Sequence, residues 1–283
     1  MKHLKHIIAL FLAIGSISAK AQTARLYTST DGLANSHVHD IMQDSKGFIW
    51  ISTENGMSRF DGVKFSNFRY DRSKTNSIAS NTVRVVFEDS AGKFWVGTSS
   101  GLQTFDTEYS TFSKINLEDW SVPDSDQHII SVLEFSDDDK RIIVATSSGH
   151  GIYTLDAESH EIKHDIQNAI NRQLPSKFIS KAFKDSRNRL WLASNDGGLT
   201  VIDLDAPDHA LDLWEKGLHH EASDIMTSFT EDPTNGNIYI GSMNSGILVW
   251  DSKTERIRKS KGEMKENFSI MSMIPNNIVP RYG

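Results

Sequence analysis

Six side chains with paired hydrogen-bonding capacity, Asn55, Ser100, His150, Asn195, Asp196 and Asn244, recur at similar intervals along the 283-residue chain, each between a Thr or Ser and a Gly-apolar pair. Brought onto one rim, such amides, hydroxyls, carboxylate and imidazole would offer donors and acceptors to a hydroxyl-rich ligand. Asn, Asp and Ser are also ordinary turn formers, so the pattern can serve the backbone instead. Other reactive residue types are less well placed. Asp44, Asp89, Asp137 and Asp185 supply one carboxylate per interval, and acids spread in this way cannot converge on one glycosidic bond. The run Asp137-Asp138-Asp139 lacks the Gly and distal Glu of a calcium loop. His128 and the pair His219-His220 have no third ligand at a helpful spacing, and adjacent histidines on a strand face opposite sides. No metal and no cofactor are expected, and no nucleophile elbow supports Ser-His-Asp catalysis.

The elements that must position these residues come from a repeat. The pattern Asp-x-x-Gly-x-apolar-Trp-apolar-x-Thr-x-x-Gly-apolar occupies Asp44–Met57 and Asp89–Leu102, placing Trp50 and Trp95 45 residues apart. A third copy keeps Asp139, Ile142-Ile143-Val144, Thr146 and Gly151-Ile152. A fourth runs from Asp185 through Trp191 to Gly198-Leu199, and a fifth carries Tyr239 at the Trp position. Aligned on Phe87, Phe135, Phe183 and Phe229, the steps are 48, 48 and 46. A period of roughly 40–50 residues is that of propeller blades. Each unit divides into four short alternating strands, with Asp-x-x-Gly as hairpin-turn chemistry between the first two.

The expected fold is therefore all-β: a β-propeller of four-stranded antiparallel blades, five recognisable, plus partial terminal strands, incomplete and unclosed. Blade cores are expected near 38–68, 83–115, 129–160, 179–205 and 225–257, with the start of a sixth at 275–283. First strands near Val38, Val83, Ser131, Ile179 and Ile225 should line the channel, and Trp50, Trp95 and Trp191 should pack sheet on sheet rather than stack on sugars.

Residues 1–21 combine a basic head, the apolar run Ile7–Ile17 and a small-x-small end, which reads as a cleavable secretory signal peptide leading residues 22–283 to the periplasm. The apolar run is too short to span a bilayer. There is no cysteine, hence no disulfide framework. With 30 Lys and Arg against 37 Asp and Glu, a net charge of −7 and scattered basic residues, no nucleic-acid partner is expected. The densest basic stretch, 256–261, reads as a solvated loop or outer strand edge.

At these motifs the chain resembles the two-component regulator propeller repeats of periplasmic sensors in Bacteroidetes hybrid two-component systems. The lead-in Leu26–Val38 and the segment Gly56-Met57-Ser58-Arg59-Phe60-Asp61-Gly62 carry the likeness together with the repeat. The resemblance implies a non-enzymatic sensor segment that responds to oligosaccharides from complex glycans. It also implies a histidine kinase and a membrane span in later parts of the intact protein, which itself could be a homodimer, with the present chain its N-terminal fragment. Two rivals stand beside it. One is a secreted propeller lyase or hydrolase using His150 with His37 and His128, and the other is a protein-binding scaffold.

Overall fold

The structure, a computed structural model, describes residues 26–116, 127–135, 140–196, 198–211, 213 and 224–260. The leader, the Asp137–Asp139 run, Gly197, His219, His220 and the 275–283 segment lie outside the described residues. Five antiparallel sheets follow one another. The first comprises β1 (Val38–Gln43), β2 (Ile49–Thr53), β3 (Gly56–Phe60) and β4 (Phe65–Phe68), and the second β5 (Val83–Glu88), β6 (Phe94–Thr98), β7 (Gly101–Asp106) and β8 (Thr111–Lys114). The third comprises β9 (Ile129–Glu134), β10 (Arg141–Thr146) and β11 (Ile152–Asp156), and the fourth β12 (Ile179–Lys184), β13 (Arg189–Ser194) and β14 (Leu199–Asp203). The fifth has β15 (Met226–Glu231), β16 (Ile238–Ser242), β17 (Ile247–Asp251) and β18 (Arg256–Lys259). These are the five blades of a propeller. In the third and fourth, the outermost position is held by isolated bridges, Leu155 to Ile162 and Ile202 to Ala210. The basic segment becomes the outer strand β18.

Inner strands pack side by side in the succession β1, β5, β9, β12, β15. Trp50 and Trp95 lie in different sheets and are buried, as is Trp191. The spacing of Asp to Trp has a reason visible only in three dimensions: the Asp does two jobs. Asp89 Oδ1 accepts from the N–H groups of Ala91 and Lys93, closing the turn, while Oδ2 accepts from Trp95 Nε1 at 2.8 Å. Asp44 and Asp185 repeat this with Trp50 and Trp191. A buried indole N–H needs an acceptor, and the turn supplies it.

Register corrects the aromatic alignment. Phe87 and Phe183 pair with Trp95 and Trp191, but the equivalent residues in the third and fifth blades are Leu133, opposite Ile143, and Thr230, opposite Tyr239. Phe135 follows β9, and Phe229 pairs with Ile240, one place out. Turn length causes the slip: Asp44 N–H reaches the carbonyl of Phe48, whereas Asp232 N–H reaches that of Asn237, one residue further on.

Helix α1 (His164–Asn171) is a departure from the all-strand reading. It packs on β11 and satisfies that strand's outer edge with side chains. Asn171 accepts from Ile152 N–H through Oδ1 and donates to Ile152 carbonyl through Nδ2, while Gln167 Oε1 accepts from Thr154 N–H. An open edge must be paired or covered, and amide side chains do both here.

Neighbouring blades are also clasped at the rim opposite the Gly-apolar turns. Ser45, Ser90 and Ser186 each donate both backbone N–H and hydroxyl to the Glu ending the next inner strand, Glu88, Glu134 and Glu231 respectively. Between the third and fourth blades Lys184 takes the Glu position and donates to Phe135 carbonyl instead. Glu134→Gln should lower stability by no more than about 1 kcal/mol, because the clasp is exposed to water. A urea titration reading no change at all would show the clasp to be idle.

Candidate functional site

Each inner strand carries a register shift at the same place. The pairing skips His39 between Val38 and Asp40, Arg84 between Val83 and Val85, Ile130 between Ile129 and Ser131, Ser180 between Ile179 and Lys181, and Thr227 between Met226 and Ser228. A bulge leaves one residue unpaired and re-aims its side chain. All five skipped residues line one cavity of about 350 Å³, so every blade contributes through the same device. That size falls within the range of small-ligand sites.

The remaining lining is part apolar, from Val38, Ile179 and Ile225, and part polar, from Lys181, Ser147 and Asn195, with the half-exposed Met243. Ser147, Asn195 and Met243 hold equivalent positions, the first residue after the blade's second strand. Their N–H groups donate to the carbonyls of His128, Phe178 and Ile225, and Glu54 and Ser99 do the same to His37 and Thr82. These bonds tie each turn to the lead-in of its own blade.

Of the six turn residues singled out from sequence, Asn195 lines the cavity, while Asn55, Ser100, His150, Asp196 and Asn244 are not among its lining residues. In the first, second and fifth blades the residue equivalent to Asn195 is one place earlier, at Glu54, Ser99 and Met243. Asn55 and Ser100 serve the turn through N–H bonds to the hydroxyls of Thr53 and Thr98. Asn244 is bound to Asp224 through its N–H and its Nδ2 at 3.0 Å. A hydrogen bond from the Ser176 hydroxyl holds Asp196 below the usual carboxylate range, and burial pushes the His150 imidazole down.

Sequence reasoning missed the bulge residues, although a signal exists. His39, Arg84, Ser180 and Thr227 all stand five places before the turn Asp of their blade, at 44, 89, 185 and 232.

Electrostatically the cavity wall is mixed. His39 Nε2 lies 2.7 Å from Glu54 Oε2, and Thr82 hydroxyl donates to the same carboxylate's Oε1. Arg84 Nη1 lies 3.2 Å from His39 Nδ1. Lys181 Nζ reaches from the fourth blade to Asp40 Oδ1 of the first at 3.0 Å. Burial lowers the His39 pKa, and neighbouring Arg84 adds to this; the Glu54 hydrogen bond pulls the other way and is outweighed. The Glu54 carboxyl is pushed up by burial but ends below its usual range because His39 and Thr82 hydrogen-bond it. A histidine whose folded pKa lies below the ordinary 6.5 binds its proton more readily when unfolded. Its contribution is intact above that value and is lost as pH falls through it. His39→Gln should therefore lose less stability than the parent between pH 7 and pH 5. His150 and His160 are also lowered, by burial first, so only the difference between variant and parent isolates His39. Equal slopes in paired thermal melts would remove His39 from this role.

Among the described residues no group of three or more His, Cys, Asp or Glu side chains could hold a metal ion, and no helix is long and apolar enough to cross a membrane.

This is a propeller whose equivalent bulges converge on a central cavity. Residues 32–55 and 77–100, in the first and second blades, match the family described as two component regulator propeller. A 67-residue stretch is 42% identical to histidine kinase P4 of Formosa agariphila, covering 22% of this chain and 5% of that protein. Two extracellular domains from B. thetaiotaomicron share the fold. That of the hybrid two component system BT3049 matches with a TM-score of 0.61 and 20% identity over 88% of this chain and 38% of its own. That of BT4673 matches with a TM-score of 0.64 and 19% identity over 82% and 32%. The chain thus spans about a third of each of those domains.

Proposed function

We propose that this chain is the ligand-sensing portion of an extracytoplasmic two-component sensor and that an oligosaccharide is received in the five-blade cavity. The observation that carries the reading is the recurrence of one bulge per blade, each placing its residue on the same cavity. The repeat family and the likeness to extracellular domains of two-component systems support the sensor role. The described lining combines apolar walls with hydroxyl, amide, imidazole and cationic groups, and the adjoining carboxylates of Glu54 and Asp40 are held by His39, Thr82 and Lys181, a composition suited to binding rather than to acid–base cleavage. In the intact protein, binding would alter the packing of the blades and of adjoining domains, and that change would pass across the membrane to a kinase. A periplasmic location after removal of residues 1–21, and a dimeric intact sensor, belong to the same proposal.

Calorimetry of the full chain against a panel of plant, algal and host-glycan oligosaccharides tests it. Asn195→Ala should weaken the best binder several-fold, the loss of about one hydrogen bond. Asn244→Ala, whose side chain is committed to Asp224, should leave affinity unchanged. Binding that ignores both changes would put recognition outside the cavity.

A further inference from the structure

The ionisable residues lining the cavity are His39, Arg84 and Lys181, and the two cations differ in how they are held. Lys181 is half-buried and committed to Asp40, across 141 positions of sequence. Arg84 has no carboxylate within ion-pair distance among the described residues, and the only hydrogen-bond partner of its guanidinium among them is the His39 ring, through Nη1. A guanidinium presents five N–H donors in a fixed fork that matches a carboxylate or a sulfate. One of its nitrogens is occupied, by a weak partner whose Nε2 is already engaged with Glu54. The remaining donors border a cavity whose described lining holds no carboxylate, the Glu54 carboxylate beside it being bound by His39 and Thr82. Guanidinium donors that border a partly apolar cavity of this size are available to an anionic acceptor from outside the chain, with which they form charge-assisted hydrogen bonds stronger than neutral ones.

We propose that the ligand of this cavity carries an anionic group, the carboxylate of a uronic acid or a sulfate ester on a sugar, received by Arg84 and Lys181. This rests on the cavity being the ligand site and names the class of sugar it takes. Lys181 has one ammonium to offer and Asp40 holds it at 3.0 Å, so the ligand's anion competes with Asp40. Binding exchanges one anionic partner of Lys181 for another. The Lys181–Asp40 ion pair joins the inner strands of the first and fourth blades, so its opening communicates occupancy to the ring at the moment the sugar binds. The uncharged walls at Val38, Ile179 and Ile225 are left to cover the apolar faces of the sugar ring.

The test uses the full chain and four probes: trigalacturonate, its fully methyl-esterified form, a sulfated galactan oligomer and the same oligomer desulfated. Titration calorimetry should show at least one acidic probe binding at least ten-fold tighter than its uncharged counterpart. Which of the two acidic probes prevails identifies carboxylate or sulfate as the anion. Arg84→Gln and Lys181→Gln should each weaken that probe at least about ten-fold, the loss of one charge-assisted contact. Asp40→Asn should instead tighten it, because the competitor is gone, and a purely structural role for Asp40 would not produce that gain. Circular dichroism melts verify that each variant is folded, and should one fail to fold the other two still decide. Uncharged probes binding as well as acidic ones, with Arg84→Gln without effect, would overturn the anionic ligand while leaving the sensor cavity standing. No binding of either acidic probe at millimolar concentration, or weaker rather than tighter binding by Asp40→Asn, would also overturn it.

Discussion

Asp185→Ala should cost about 3–5 kcal/mol of folding stability, the range for removing one partner of a buried ion pair. Asp185 and Arg189 are both buried and joined by an Nε–Oδ2 contact of 2.7 Å. The same carboxylate accepts from the N–H groups of Arg187 and Arg189 at 3.0 Å and from Trp191 Nε1 at 2.8 Å. Alanine would leave an indole N–H without its acceptor and strand a buried guanidinium. That guanidinium lies 5.4 Å from the ring centre of Trp191 and 5.2 Å from that of Trp250, which soften the penalty without replacing an anion. Asp89→Ala is the control. Asp89 holds its turn and Trp95 in the same way but has no arginine partner, so its removal should cost less. Guanidinium unfolding of both variants reads the difference. Equal destabilisation would mean that the ion pair contributes nothing beyond the turn and indole bonds common to both blades.

Blade identity is legible in the sequence because it is written in backbone chemistry. The Asp-x-x-Gly turn, the core Trp and the Gly before the third strand are each demanded by one local geometry, so they recur in recognisable form. Register is less legible: one extra residue in the Asp232–Asn237 turn, which stretches Asp-x-x-Gly to Asp-x-x-x-Gly, puts Thr230 rather than Phe229 opposite Tyr239. Helix α1 escapes sequence reading because its apolar face is short; the buried residues are only Ala169 and Ile170, and its main task is done by Gln167 and Asn171. The cavity is half legible. Polar turn residues mark the correct end of the blades, yet the turn geometry ties the N–H groups of Asn55 and Ser100 to the hydroxyls of Thr53 and Thr98, and the Asn244 side chain is bound to Asp224. The bulged residues His39, Arg84, Ile130, Ser180 and Thr227 share a position and no chemistry, so no residue type announces them. A site built from equivalent positions with different side chains is what allows repeats to keep a fold while differing in what they bind.

Gly56→Ala should be the second severe change, because it combines a left-handed backbone with a clash against backbone, whereas at Gly151 of the same motif the atom met is the side-chain Oδ1 of Asn171. Gly56 has φ of +102°, where an L side chain costs roughly 1–2 kcal/mol. A Cβ there would stand 2.4 Å from the backbone oxygen of Phe68 and 2.9 Å from Arg69 Cγ. The oxygen belongs to the end of β4 and cannot swing aside as a side chain would. Gly56 N–H also donates to the Asn81 carbonyl in the lead-in to the second blade, so the local backbone is held on both sides. Relief has to come from moving Phe68, whose ring packs against Trp50, Phe105 and Phe112 at the joint of the first two blades. Forced repacking of such a core costs a further 1–3 kcal/mol or so. Gly246 occupies the equivalent place before β17, with φ of +77° and no atom within 4 Å of its Cβ position. Gly246→Ala should therefore show the backbone penalty alone. The difference between the two variants in denaturant unfolding measures the close approach to Phe68, and near-zero difference would mean that β4 does not press against Gly56.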